Sequence, residues 1–96
     1  MILVFGQSGQ VARELGRLIP DATFLDRAAC DLSVPTDCID AILYNRPRAV
    51  INAAAYTAVD KAESEEELAT VINGHAPAAM ARTCDELRIP LVHIST

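Results

Sequence analysis

The sequence predicts one α/β domain, a parallel sheet of about four strands with helices on both faces. Two observations carry this. Short apolar runs alternate with longer segments whose apolar residues recur at helical spacing, and no repeat, low-complexity segment or linker divides the 96 residues. The first run, MILVF at Met1–Phe5, is apolar throughout, as expected of a strand covered on both faces.

The elements follow in order. Gln10–Ile19 carries Val11, Leu15, Leu18 and Ile19 as one helical stripe, ended by Pro20 and Asp21. Thr23–Leu25 is a short second strand closed by Asp26. Ile39, Ile42 and Leu43 form the stripe of a helix over Pro35–Asn45, with Pro35 suited to its first turn. Ala49–Ala53 is the third strand, followed by a loop over Ala54–Ala62. Ser64 and Glu67 then fit a capping box at a helix start. The acidic run Glu63–Glu67 there reads as favourable charge at a helix N-terminus rather than a metal site. Gly74 and Pro77 break or kink the helical pattern, which resumes over Ala78–Leu87. Ile89–Ile94 is the fourth strand. Right-handed crossovers through this β-α-β-α-β-α-β chain lead to an expected strand order of 3-2-1-4, with a crevice between the first and fourth strands.

Composition excludes several classes of function. Half the residues are apolar (51%), the net charge is −5, and no basic cluster occurs, which argues against nucleic-acid and anionic-membrane partners. No apolar run is long enough to span a bilayer, and the N-terminus has no basic leader. Cys30, Cys38 and Cys84 are odd in number and have no CxxC spacing. A disulfide framework or zinc site is therefore not expected, and a reducing cytoplasm fits better. His75 and His93 lack partners at ligand spacing, so no metal site is expected.

The chemistry is concentrated where the first strand meets the first helix. Gly6-x-x-Gly9-x-x-Ala12 ends one and opens the other. Gly6 can adopt a positive φ for the tight turn, and Gly9 lets a pyrophosphate approach the backbone at the helix N-terminus. Ala12 is small enough for the helix to lie against the sheet. Ordinary strand-to-helix turns also use glycine. Asp26, 20 residues after Gly6 at the end of the second strand, adds the acid that would bond the adenosine ribose hydroxyls. Together these indicate a Rossmann-type dinucleotide site. No Gly-Lys-Ser/Thr follows, which excludes a P-loop. Arg27 directly after Asp26 could attract a 2′-phosphate that Asp26 would repel, leaving NADH and NADPH both open.

The third strand ends in Asn52-Ala53-Ala54-Ala55, with three small residues where a cofactor would cross the strand ends, and then Tyr56 and Thr57. A small-residue terminus packed on a helix is the alternative. Taken together, GQSGQVARELG, DLS at Asp31–Ser33, PRAVINAAAYTAVDKAESE and IPLVHIST resemble the dTDP-4-dehydrorhamnose reductases, extended short-chain dehydrogenase/reductases that make dTDP-L-rhamnose. The resemblance runs along essentially the whole chain. It implies that Gly9, Gln10 and Val11 form the cofactor loop and Asp26 the ribose acid. It places Asp31 and Leu32 beside the adenine, Ala55, Tyr56 and Thr57 along the cofactor, and Ile94 at the nicotinamide-side ribose. Thr96 matches the threonine of a Thr-Tyr-Lys catalytic set that hydrogen-bonds the sugar's C4 oxygen.

Ala12 replaces the commoner third glycine of the loop, a mild departure. The larger departure concerns the family's Tyr-x-x-x-Lys. Tyr44 and Tyr56 are followed four residues on by Arg48 and Asp60, so neither supplies it. The tyrosine would protonate the developing alkoxide while nicotinamide delivers hydride, with the lysine lowering its pKa. A buried-type strand would also be left at the sheet edge. Residues 1–96 are thus expected to be an N-terminal NAD(P)-binding segment of a longer cytoplasmic reductase of a dTDP-sugar, for which the resemblance leaves a homodimer open. A non-catalytic NAD(P)-binding module is the alternative of another class. A different nucleotide-sugar epimerase or dehydratase is a third, and the VDKAES run counts against it.

Overall fold

The computed structural model describes residues 1–6, 9–54 and 66–94. They form a four-stranded parallel sheet in the order β2-β1-β3-β4, built from β1 (Ile2–Phe5), β2 (Thr23–Leu25), β3 (Ala49–Asn52) and β4 (Leu91–His93). The helices are α1 (Gln10–Leu18), α2 (Pro35–Asn45), α3 (Glu66–Thr70) and α4 (Ala76–Leu87). The Rossmann-type α/β expectation therefore holds, but the expected order 3-2-1-4 does not. That order placed β2 between β1 and β3, a position buried on both faces. β2 has only the three residues TFL, all half-buried, which suits an edge. β3 carries the fully buried Val50 and Asn52 and takes the place next to β1. The crevice where the winding reverses consequently lies between β1 and β3, not between β1 and β4.

Strand alternation divides the core. Leu3 and Phe5 point to one face, where they join Cys30, Cys38, Ile42, Val50, Ile72, Met80 and Cys84 in one cluster. α2 and α4 pack together over this face. Val4, paired in register with Phe24 and Ile51, points to the other face. There Gly16 of α1 lies over the Phe24 ring, and Ala12 is buried. Successive strands that step away from β1 in opposite directions put α1 and α2 on opposite faces when both crossovers are right-handed.

The break expected at Gly74 and Pro77 takes a specific form. Between α3 and α4, Val71–His75 makes a π-helical turn in which the Ala76 N–H bonds to the Val71 carbonyl, five residues back. Pro77 then sits in the first turn of α4, directly after this π-helical turn, and contributes no N–H to the helical ladder. The helical path continues without a gap, and α4 begins at Ala76 rather than Ala78. Of the capping box, Ser64 lies outside the described residues. α2 and α4 each end on an arginine in the left-handed region, Arg46 (φ 47°) and Arg88 (φ 57°), without the glycine that usually marks such an end. Pro47 and Pro90 follow and prevent continuation.

Candidate functional site: the strand-end crevice

The C-terminal ends of all four strands lie along one rim. Phe5 is in register with Leu25 on one side and Asn52 on the other, and Asn52 with His93. Backbone bonds continue the pairing past the strands: Gly6 N–H donates to the Leu25 carbonyl at 2.9 Å, Ala53 N–H to Phe5 at 2.9 Å, and Ile94 N–H to Asn52 at 3.0 Å. Gly6, Ala53 and Ile94 are thereby fixed at the crevice mouth.

Gly6 is required by two constraints. Its φ is +113°, and a Cβ there would lie 3.2 Å from the Ala53 carbonyl carbon. The expected positive φ is present, and the small residues after β3 are what Gly6 touches. Gly9 caps α1 from an extended conformation (φ −72°, ψ 161°) and makes no side-chain cap bond. A Cβ on Gly9 would meet nothing within 4 Å. Glycine at this position is therefore not a packing requirement, and open space lies over it. No acidic side chain stands in the first turn of α1, where Gln10 and Val11 are exposed. The first N–H groups of a helix have no intrahelical acceptor and carry the positive end of its dipole. This end of α1 therefore suits an anion, and a pyrophosphate fits the chemistry of the donors.

Two acids follow β2, and each organises its own turn. Asp26 is exposed, and its Oδ1 accepts the Ala29 N–H at 2.8 Å. A carboxylate has further lone pairs for a ribose hydroxyl, so the structural and the ligand-binding readings of Asp26 are compatible. Asp31 Oδ1 accepts both the Ser33 N–H (2.9 Å) and the Ser33 hydroxyl (2.7 Å). These bonds, the hydroxyl's first, hold the Asp31 carboxyl below its ordinary value. Leu32 between them is buried in the closed core. It anchors the 31–33 segment from below, so a base lying alongside would meet the backbone rather than this side chain.

The structure thus brings Gly6, Gly9, Gln10, Val11, Asp26, Asp31, Leu32 and Ile94 to the strand-end side of the sheet. Ala55, Tyr56, Thr57 and Thr96 lie outside the described residues.

Two pairings had no sequence signal strong enough to find them. Asn52 is fully buried; its Nδ2 donates to His93 Nδ1 at 3.0 Å and its Oδ1 accepts the Ala54 N–H at 3.2 Å. An amide nitrogen can only donate, so the pairing selects the His93 tautomer with its proton on Nε2. One side chain thereby ties the end of β4 to the turn that Gly6 packs against. The only hint was a polar residue one place before the end of each of two apolar runs. The second pair is Cys30 and Cys38, whose Sγ atoms are 3.7 Å apart. Their spacing matches no motif.

Comparison with known proteins agrees with this layout. A family model described as RmlD substrate binding domain matches residues 1–96. The chain belongs to that family. Among relatives, the dTDP-4-dehydrorhamnose reductase of Salmonella typhimurium is 41% identical over 99% of this chain and 34% of its own length. The crystal structure of dTDP-4-dehydrorhamnose reductase from Bacillus anthracis in complex with NADP superimposes with a TM-score of 0.87 at 31% identity, covering 98% of this chain and 35% of that one. A hypothetical dTDP-4-dehydrorhamnose reductase from Sulfolobus tokodaii gives a TM-score of 0.89 at 35% identity, over 98% and 38%. The chain spans about a third of the length of the curated relatives it matches.

Proposed function

We propose that residues 1–96 form the NADPH- or NADH-binding part of an oxidoreductase that reduces the C4 keto group of dTDP-4-dehydro-L-rhamnose to dTDP-L-rhamnose. The observation that carries the cofactor half is the uncapped N-terminus of α1 at Gly9, open to solvent and set beside the Gly6–Ala53 seam. The substrate half rests on the shared name of the relatives, and the NADP complex among the similar structures supports the cofactor half.

In this reading the α1 N-terminus and Gly9 hold the pyrophosphate, Asp26 the adenosine ribose, and the Asp31–Leu32 backbone the adenine. Ala55, Tyr56 and Thr57 follow the cofactor from β3, and Ile94 passes the second ribose. The bound nicotinamide supplies hydride to the C4 carbon. Thr96 donates a hydrogen bond to the C4 oxygen, and the proton must come from a tyrosine that neither Tyr44 nor Tyr56 provides in a Tyr-x-x-x-Lys setting. Arg27, exposed beside Asp26, attracts a 2′-phosphate that the Asp26 carboxylate repels, so NADPH and NADH both stay open. A cytoplasmic site of action and a homodimer of the full-length protein belong to the same reading. Among the described residues, no helix is long and apolar enough to cross a membrane.

Fluorescence titration of this chain with NADPH and NADH tests the cofactor half. Gly9→Leu places a side chain at the anion site, starting from a Cβ that meets nothing within 4 Å, so it should weaken binding at least tenfold, about 1.4 kcal/mol, with the fold unchanged by circular dichroism. Equal affinity in the variant refutes the placement. The 96 residues alone should show no turnover of the dTDP-4-keto sugar.

A further inference from the structure

Beyond their places in the core, Cys30 and Cys38 have no part in the site described above. Both are buried, at 2% and 0% exposure, and both are free thiols. Their Sγ atoms stand 3.7 Å apart within the closed core. Cys30 ends the turn that starts at Asp26, its N–H donating to the Asp26 carbonyl, and Cys38 lies in the first turns of α2. The pair therefore brackets Asp31, Leu32 and Ser33. Cys84 belongs to the same core, but no second sulfur is paired with it among the described residues.

We propose that Cys30 and Cys38 are a modification site, a thiol pair that a small peroxide converts reversibly to a disulfide, and that the bridge alters the 31–33 segment. The oxidant must be small. Asp26, Arg27, Ala28 and Ala29 are exposed and precede Cys30 directly, whereas the two sulfurs belong to residues 2% and 0% exposed, which favours a water-sized oxidant over a bulky disulfide reagent. The roles of the two sulfurs differ. A Cys38 S–H facing an ionised Cys30 favours that thiolate and lowers the Cys30 thiol. Cys38 is pushed up, first by the same pairing and then by burial. Cys30, which ends the exposed 26–29 turn while Cys38 is fully buried in α2, is the sulfur a peroxide reaches first and the one that attacks.

Its thiolate attacks one peroxide oxygen: the S–O bond forms, the O–O bond breaks, and the departing hydroxide takes a proton to leave as water. The Cys38 sulfur then displaces hydroxide from the Cys30 sulfenic acid. The S–S bond forms, the S–O bond breaks, and the Cys38 proton leaves with the hydroxide as a second water. Two thiols lose two electrons and two protons, and one peroxide becomes two waters. Bond formation draws the sulfurs to about 2.05 Å, and the Cys30 side, which ends a turn rather than lying in a helix, takes up the movement. Asp31, Leu32 and Ser33 move with it. That they carry the adenine rests on the functional reading above; the bridge itself does not.

The test is hydrogen peroxide treatment of this chain, then alkylation and tryptic mapping. Cleavage after Arg27 leaves Cys30 and Cys38 on one peptide. The expected product is that peptide unalkylated and lighter by two hydrogens, restored by dithiothreitol, with Cys84 still alkylated. Cys38→Ser should abolish the product and Cys84→Ser should retain it; the wild-type map decides the question even if a variant fails to fold. Sulfinic acid at Cys30 with Cys38 alkylated, or a bridge to Cys84, overturns the proposal. NADPH titration before and after oxidation reads the coupling, with about tenfold weaker binding expected in the bridged form. Equal affinity in both forms overturns the link to 31–33. A bridge in a chain that binds no NADPH even when reduced instead refutes the functional reading and leaves the thiol pair standing.

Discussion

On one face of the sheet Leu3, Phe5 and Val50 meet α2 and α4 in a core where Ile42 and Met80 are fully buried, whereas on the other Val4 and Ala12 meet under α1 and Val92 remains 53% exposed. The closed face is built by burial of many apolar side chains from elements far apart in sequence. Among the described residues, the open face is covered by one short helix with a single buried residue, Ala12. Yet the open face carries the helix whose N-terminus offers the anion site. Rigid placement of the strand ends therefore comes from one side of the sheet, and the proposed anion site at the α1 N-terminus from the other. Local stability should follow the same division, lowest where few apolar contacts are buried.

Four substitutions would break or sharpen that contrast. Ile42→Ala leaves a cavity in the closed core and should cost about 2–5 kcal/mol in urea unfolding. A loss below 1 kcal/mol would mean that α2 is not a true core element. Gly6→Ala probes the seam between β1 and β3, since alanine must adopt φ +113° with its Cβ against the Ala53 backbone. About 1–3 kcal/mol of destabilisation is expected, together with weaker cofactor binding. An unchanged unfolding midpoint would show that the seam is not fixed.

Asp31→Asn tests the rim of the closed face through pH. Because the folded carboxyl titrates below its unfolded value, its contribution is complete above about pH 4 and disappears as pH falls through the folded value. Wild type should exceed the variant in stability at neutral pH, with the gap closing in acid; a gap constant down to pH 2 contradicts the role given to the Ser33 bonds. Val92→Ser, on the open face, should change stability by no more than about 0.5 kcal/mol. A cost matching that of Ile42→Ala would erase the difference between the faces.

Much of this was legible along the chain. The strands, α1 and α2 follow from apolar runs and stripes, since local periodicity records which faces are buried. Gly6, Gly9 and Asp26 were legible as a group because strand-to-helix geometry fixes their relative placement whatever the rest of the sheet does. The strand order was not. MILVF, TFL and AVINA are all apolar enough to be central, and right-handed crossovers fix a helix's face only after the direction of travel is chosen. The break at Gly74 and Pro77 was legible as an interruption, but a π-helical turn and a chain break leave similar traces in sequence.

The sequence by itself determined the element types, the glycine turn into α1 and the acid after β2, because each depends on residues near one another in the chain. Its motifs also determined the family. The tertiary structure alone decided that β3 lies next to β1, and hence that the winding reverses at the Gly6–Ala53 seam. It alone joined Asn52 to His93, 41 residues apart, and turned two unremarkable cysteines into a thiol pair. Those contacts depend on where the winding reverses and how a turn folds back on a helix, which packing against the whole sheet decides and no short stretch of sequence encodes.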